Sequence, residues 1–322
     1  MIVSRLCLHV GYQKTGSTWL RQHLFNNSAL GFSAPFTRYQ MLEQIVYPHA
    51  FDFDPALCHA YFDDGIMNAS GDDLCPVLSL ERLSGNPVSG GYDSKELADR
   101  LANTFPDAKV MIVIREQKSM ILSSYKEYIK SGGPSSLLGY LDPPPPKRIP
   151  YFDFDHYKYH RLIRYYFQLF GRSHVIVLPF EMFNSSPLEF LNRFVCFVYP
   201  QREPSPIIEK LPCDERVNVG FSGIELEIKR HLSMLFGERN SLNLHSLFPT
   251  GRFERTAFNG FKMLGVFNVA PKPLRNHLDK NLITQVAQLV GYRYTDSNRQ
   301  TSQLIGIDLA TYGYDLDKNN VI

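Results

Sequence analysis

With 322 residues, 44% of them hydrophobic, the chain is long enough to bury a substantial core, as one large α/β domain or two small ones. Its 34 Lys and Arg against 32 Asp and Glu leave a formal net charge of +2, which supplies no global field for nucleic acid or an anionic membrane; any anion site has to be built locally. The five cysteines, at 7, 58, 75, 196 and 213, lack Cys-x-x-Cys spacing, and no apolar run approaches a membrane span, so neither zinc, a disulfide framework nor a transmembrane segment is expected and a soluble, reduced, cytoplasmic protein is.

Short apolar runs at 6–10, 76–80, 110–114 and 175–178 predict four buried strands. After the first, Gly11 opens a polar loop and then a helix beginning near Ser17, with Leu20 and Leu24 at i, i+4 on its buried face and Trp19 and His23 beside them. The second run ends at Glu81. An Asp93/Glu96 cap predicts a helix over 93–105 carrying Leu97 and Leu101, and Pro106-Asp107 turns the chain into the third strand. That strand ends at Arg115 and leads into a helix bearing Ile121, Tyr125 and Tyr128. Gly132-Gly133-Pro134 and four consecutive prolines at 143–146 predict a surface loop of polyproline character over 132–150, not a regular helix. An aromatic helix over 155–170 should close at Gly171, and Ser186-Pro187 should start another ending near Val198. Strands alternating with helices predict an α/β fold: a P-loop-type parallel sheet covered by helices on both faces, in a single domain over 1–322 with 132–150 as a surface excursion.

A strand, a glycine, a polar loop and an apolar helix make a phosphate-binding geometry, in which backbone N–H groups and a helix N-terminus point at one anion. Gly11 and Gly16 have the separation found in nucleotide triphosphatase loops, but Ser17 stands where that loop's lysine belongs, and Lys14 lies two residues before the second glycine. A lysine inside the loop can reach a bridging oxygen and a terminal group without the magnesium that triphosphate chemistry relies on. The run Gly11-Tyr12-Gln13-Lys14-Thr15-Gly16-Ser17-Thr18-Trp19-Leu20 resembles the 5'-phosphosulfate loop of sulfotransferases that use 3'-phosphoadenosine 5'-phosphosulfate (PAPS), in their bacterial branch. The resemblance implies that Gln13, Lys14, Thr15, Gly16, Ser17 and Thr18 hold the donor, that Lys14 is catalytic, and that no metal takes part.

The same resemblance implies a second anion pocket for the donor's 3'-phosphate, formed by an arginine at a strand end and a serine eight residues on. Arg115 and Ser123 match, with Tyr125 two residues further, while Gln117 replaces the usual proline and Met120 a frequent second arginine. It extends to Phe105-Pro106-Asp107-Ala108-Lys109, Pro179-Phe180-Glu181 and the segment from Asp296 to Tyr314, with Glu181 read as structural. For the base that takes the acceptor's proton, Glu81 ends a strand facing the same crevice and resembles the strand-end acid of bacterial and carbohydrate sulfotransferases. The alternative is Glu81 as salt-bridge partner of Arg82 or Arg115. His9 reads as a core histidine, and His49 and His59 fall in loop-like stretches. The expected partners are PAPS and a hydroxyl- or amine-bearing acceptor, by resemblance a cell-surface saccharide or lipid precursor. Two other readings share the fold: a metal-dependent P-loop kinase, and a non-catalytic nucleotide-binding protein.

Overall fold

All four expected strands form, and a fifth joins them. In this computed structural model, which describes residues 6–143, 151–201, 207–213, 221–240, 242–243, 246–265 and 271–316, the strands are β1 (Cys7–His9), β2 (Phe32–Ser33), β3 (Cys75–Ser79), β4 (Lys109–Ile114) and β5 (Val175–Pro179). Every pair is parallel, in the order β2-β3-β1-β4-β5. The registers Cys7 to Val77 and Cys7 to Lys109 put β1 between β3 and β4. Along β4, side chains of both parities are fully buried: Val110, Ile112 and Ile114 on one face, Met111 and Val113 on the other. Successive strand residues point to opposite faces, so the sheet is covered on both, as the continuous apolar runs require. The unforeseen β2 is two residues long and too short for any periodicity to register.

The chain forms two compact units. The first comprises Met1–Glu116, Asp155–Val217 and Tyr294–Ile322 and contains the sheet; the second comprises Gln117–Phe154 and Asn218–Arg293. In the first, one core joins Cys7, Val77, Met111 and Val113 of the sheet to Leu20, Leu24 and Phe25 after the loop and to Phe190, Phe194 and Val198 of the helix Pro187–Val198. The helix expected to begin near Ser17 is present, but only Ser17–Trp19 is α-helical, and Leu20–Phe25 winds as a π-helix. The helix Ser94–Thr104 buries Leu97 and Leu101 as their spacing requires. Its predicted cap is absent because both acids are taken elsewhere: the Asp93 carboxylate accepts from the Asn86 backbone N–H and from Arg82, and Glu96 pairs with Arg100. The aromatic helix starts later than expected, at Tyr159, after a 3-10 turn over Phe154–Tyr157, and it ends at Phe170 against Gly171 (φ 79°). His59 lies on the helix Pro55–Gly71, not in a loop, with its ring 5.8 Å from that of Phe105.

In the second unit, the helices Gln117–Lys130, Gly223–Phe236 and Lys272–Val290 pack together. Ser222 opens the second of these with a capping box to Glu225, and the Gly223 N–H donates to Asp279 Oδ1 at 2.7 Å. Lys229 and Glu254, both nearly buried, pair at 2.6 Å, and Ser233 donates to the same carboxylate oxygen, so the ionic groups satisfy one another. The 132–150 stretch departs from a continuous loop: Ser136 accepts from the Gly139 N–H and starts a one-turn helix, Leu137–Leu141. Burying Leu137, Leu141 and Tyr140, whose ring lies 4.8 Å from that of Tyr128, outweighs the turn propensity of the glycines before it. Residues 144–150 of that stretch lie outside the described residues.

Among the described residues of the first unit, His9, His156 and His160 are buried. His9 Nδ1 is 2.8 Å from Ser79 Oγ, which fits the core role read from sequence, and His156 lies against the Tyr12 ring. Burial lowers His9 and His156 each to about 4 from an ordinary value of 6.5. Between those values the unfolded chain binds protons that the folded chain refuses, so stability is complete above pH 6.5 and declines as pH falls towards 4. Each of these two contributes up to about 3 kcal/mol to that loss. Urea unfolding of the full chain should therefore show a midpoint that falls steadily between pH 6.5 and 4. His9→Gln should flatten the slope, whereas an unchanged slope would remove His9 from the acid response.

Candidate active site

The C-terminal ends of β3, β1 and β4 lie side by side, which brings Glu81, Gly11 and Arg115 to one edge of the sheet. Beyond β1 the chain stays bonded to β4: Val10 N–H donates to Met111 O at 3.1 Å, Tyr12 N–H to Val113 O at 2.6 Å, and Val113 N–H to Gly11 O at 2.6 Å. The loop thus leaves the sheet from a fixed point. At Gly11 (φ +118°) a Cβ would come within 2.8 Å of Ser84 Oγ and 2.9 Å of the Glu81 carbonyl oxygen, so the turn after β3 packs directly on the start of the loop.

Within the loop, Thr15 Oγ1 donates to Tyr12 O at 2.5 Å, which spends the buried threonine hydroxyl on holding the loop's own shape. Lys14 adopts a left-handed backbone (φ 62°), and its carbonyl accepts from Arg115 Nη1 at 2.9 Å. Gly16 follows at φ +78° with the Phe180 ring 3.0 Å from where a Cβ would sit. That ring also lies 5.3 Å under the Arg115 guanidinium, so one aromatic face supports the arginine and the close of the loop. Gln13 Nε2 reaches the Tyr157 hydroxyl at 3.4 Å, while the buried Tyr12 ring packs against His156, Tyr157 and Tyr159. At the start of the helical run 17–25 the N-cap position is Gly16, which has no side chain to offer the first N–H groups; Ser17 is buried and Thr18 half-buried.

Arg115 is held from behind as well. Its carbonyl accepts from Tyr159 Oη at 2.6 Å, and the next N–H, of Glu116, donates to Glu181 Oε1 at 3.0 Å. Glu181 also accepts from Tyr314 Oη at 3.0 Å, and burial raises its carboxyl above the usual range against those hydrogen bonds. These contacts agree with its structural reading.

Glu81 pairs with neither Arg82 nor Arg115. Its Oε2 lies 2.8 Å from Arg21 Nη1, and its Oε1 lies 3.6 Å from Arg38 Nη1. Burial alone would raise the Glu81 carboxyl, but the Arg21 charge, a backbone N–H and Arg38 together hold it below its ordinary value. Arg21 comes from the helical run after the loop, so the ion pair ties that run to the end of β3. Neither arginine was singled out from sequence, because Arg21 is 60 residues from Glu81 and no local pattern marks the pair. Of the residues read as a site, the loop, Glu81 and Arg115 are brought together in the first unit. Ser123 lies half-buried on the helix Gln117–Lys130 of the second unit.

The sequence matches no family profile and no curated protein. Among solved structures the chain is similar to a sulfotransferase from Alicyclobacillus acidocaldarius, with 15% sequence identity and a TM-score of 0.48 over 95% of this chain and 98% of that one. No described helix is long and apolar enough to cross a membrane.

The close approach at Gly11 generates a direct test. Gly11→Ala must place a methyl group against the Glu81 carbonyl in a backbone region that costs an L-residue about 1–3 kcal/mol, with steric repulsion added. Thermal unfolding should show a loss of at least that size. A variant as stable as the parent would mean that the turn after β3 is not packed on the loop.

Proposed function

We propose that this chain is a PAPS-dependent sulfotransferase, moving a sulfuryl group to a hydroxyl or amine of a saccharide or lipid precursor. The observation that carries the reading is Lys14: a lysine inside a phosphate-binding loop, held in a left-handed backbone, with its carbonyl gripped by Arg115. The same loop lacks the lysine after its second glycine that triphosphate chemistry would use. In the proposed reaction the acceptor oxygen or nitrogen attacks sulfur, and the bond between sulfur and the 5'-phosphate oxygen breaks. Adenosine 3',5'-bisphosphate leaves, and the acceptor's proton passes to Glu81.

Lys14 and the N–H groups at the start of the helical run are suited to the charge that builds on the leaving phosphate. Arg115 spends one of its five donors on Lys14 O; the others suit the 3'-phosphate, with the Phe180 face keeping the guanidinium plane fixed. Ser123 is proposed as a further 3'-phosphate ligand on the strength of the sequence resemblance alone. Glu81 stands ionised at neutral pH, the state a base must start from, and its pairing with Arg21 fixes the carboxylate in place. That pairing also lowers basicity, so an acceptor that draws Arg21 aside makes Glu81 the stronger base. On this side Tyr39, 64% exposed, is next in sequence to Arg38, an aromatic and cationic surface suited to a hydroxyl-rich saccharide.

Calorimetric titration separates this reading from its rivals. Adenosine 3',5'-bisphosphate should bind, and EDTA should leave turnover unchanged; a preference for ATP with magnesium, with turnover abolished by EDTA, would favour a kinase. Arg115→Ala should weaken adenosine 3',5'-bisphosphate by roughly 10- to 100-fold, the scale of one charge-assisted contact, and adenosine 5'-phosphate much less. Equal losses for both nucleotides would remove Arg115 from the 3'-phosphate, and Ser123→Ala is judged by the same comparison.

Turnover tests the two catalytic assignments. Lys14→Ala should lower sulfotransfer by about a hundredfold or more, the scale of a lost preorganised donor. Lys14→Gly should lower it as far while relieving the left-handed backbone, so the variant is at least as stable as Lys14→Ala. Glu81→Gln keeps shape and hydrogen bonding but not basicity, and should cost about 10² to 10⁴ in rate with bisphosphate affinity within a few fold. Activity and stability falling together would instead make Glu81 a partner of Arg21 only.

A further inference from the structure

The second unit carries a surface that the proposed chemistry does not use. Met234 (41% exposed), Leu247 (63%) and Phe248 (59%) are brought together by backbone bonds from Leu247 N–H to Met234 O and from Phe248 N–H to Leu235 O. The Phe236 ring then joins Phe248, at 5.9 Å, to Phe253 on the helix Gly251–Met263, at 4.8 Å. At 100° per residue, Phe253, Ala257, Gly260, Phe261 and Leu264 follow the i, i+4, i+7, i+8, i+11 pattern of a single helix face. That face is not the core face, because Glu254 and Phe258 are buried while Phe253 (55%) and Leu264 (75%) are open, as is the flanking Met263 (86%). A contiguous exposed apolar surface of this kind marks a docking site.

The surrounding charges select its occupant. Among the described residues from 234 to 265, the exposed cations are Arg239, Arg252, Arg255 and Lys262, and the one exposed carboxylate is Glu238, 3.9 Å from Arg255. The remaining acid, Glu254, is buried and neutralised by Lys229. A second copy of the chain would bring these cations against their equals. An anionic lipid surface meets them with opposite charge and also accepts the apolar face. Another stretch with exposed apolar side chains, Tyr47, Phe51 and Leu57, has Glu43, Asp52 and Asp54 interspersed in sequence, which disfavours the same partner there.

We infer that the exposed face of the helix Gly251–Met263, with Leu247 and Phe248, is an interfacial surface that docks the protein reversibly on anionic lipid bilayers. The helix would lie in the interface plane, with Phe253, Phe261 and Leu264 among the acyl chains and the cations at the headgroups. This assignment does not depend on the sulfotransferase reading and stands or falls separately from it.

The test is sedimentation of the full chain with vesicles, either phosphatidylcholine alone or an equal mixture of phosphatidylcholine and phosphatidylglycerol, at low and physiological salt. The protein should pellet with the mixed vesicles, more at low salt, and far less with phosphatidylcholine alone. Phe253→Ser with Leu264→Ser should lower partitioning by at least about tenfold. Arg252→Glu with Lys262→Glu changes only exposed side chains and should abolish the preference for phosphatidylglycerol, with unfolding temperature serving as the fold control. No binding to the mixed vesicles, or equal binding to both kinds, would overturn the inference. So would a concentration-dependent dimer in solution that Phe253→Ser dissolves, because the face would then be a protein interface.

Discussion

The two 2.6 Å backbone bonds that join Gly11 and Tyr12 to Val113 hold the loop after β1 to the centre of the sheet, and the candidate site depends on them. They continue the β1–β4 ladder past the last regular strand residue. The loop therefore begins at a point fixed by β4, whose residues 110–114 are fully buried. Arg115, one residue beyond β4, can then reach back to Lys14 O and close the loop from the other side. Thr15 closes it internally through Tyr12 O. A loop fixed at its start, middle and end is preorganised, the property that the proposed transition-state role of its N–H groups and lysine would need.

Electrostatics at this edge are local, as a chain of net charge +2 requires. Lys14, Arg21, Arg38 and Arg115 gather around one edge of the sheet, and Glu81 is the carboxylate that pairs with two of them. The pair with Arg21 is only partly exposed, so it is neither a freely screened surface bridge nor a fully desolvated one. It orders Glu81 and keeps it charged. It also holds the π-helical run after the loop against the end of β3, so a change in the ion pair is a change in the support of the loop. In the proposed reaction, an acceptor that carries an anionic group would compete with Glu81 for Arg21 and Arg38.

Much of this was legible in the sequence because the informative signals were local. Gly11, Lys14 and Gly16 declare the loop by spacing alone, and the four strands are continuous apolar runs because both faces of the sheet are covered. Signals that needed a distant partner were lost. Asp93 and Glu96 have the spacing of a capping pair, but Arg82, Asn86 and Arg100 compete for them; Ser222 and Glu225, with no such rivals, form the cap that their spacing describes. Arg21 could not be matched to Glu81 across 60 residues, and nothing in the run Trp19 to Phe25 distinguishes a π-helix from an α-helix. The glycines at 132–133 were read correctly as a break, but the burial of Tyr140 against Tyr128 supports a helical turn a few residues later.

The backbone at Lys14 links stability to the proposed chemistry. A lysine in the left-handed region costs about 1 kcal/mol or more relative to glycine, and the loop already has glycines at its other two left-handed or extended positive-φ positions, 11 and 16. Selection for stability alone would favour glycine or asparagine at position 14 as well. The side chain must contribute something that offsets the strain, and a phosphate-binding loop offers one such role: a positive charge whose position is set by the backbone conformation itself. In an unstrained conformation the same lysine would leave the loop in another direction, and Arg115 would lose the carbonyl it holds. The strain, the arginine brace and the placement of the charge are thus one feature of the fold, which is why the reading of function rests on this residue ahead of any other.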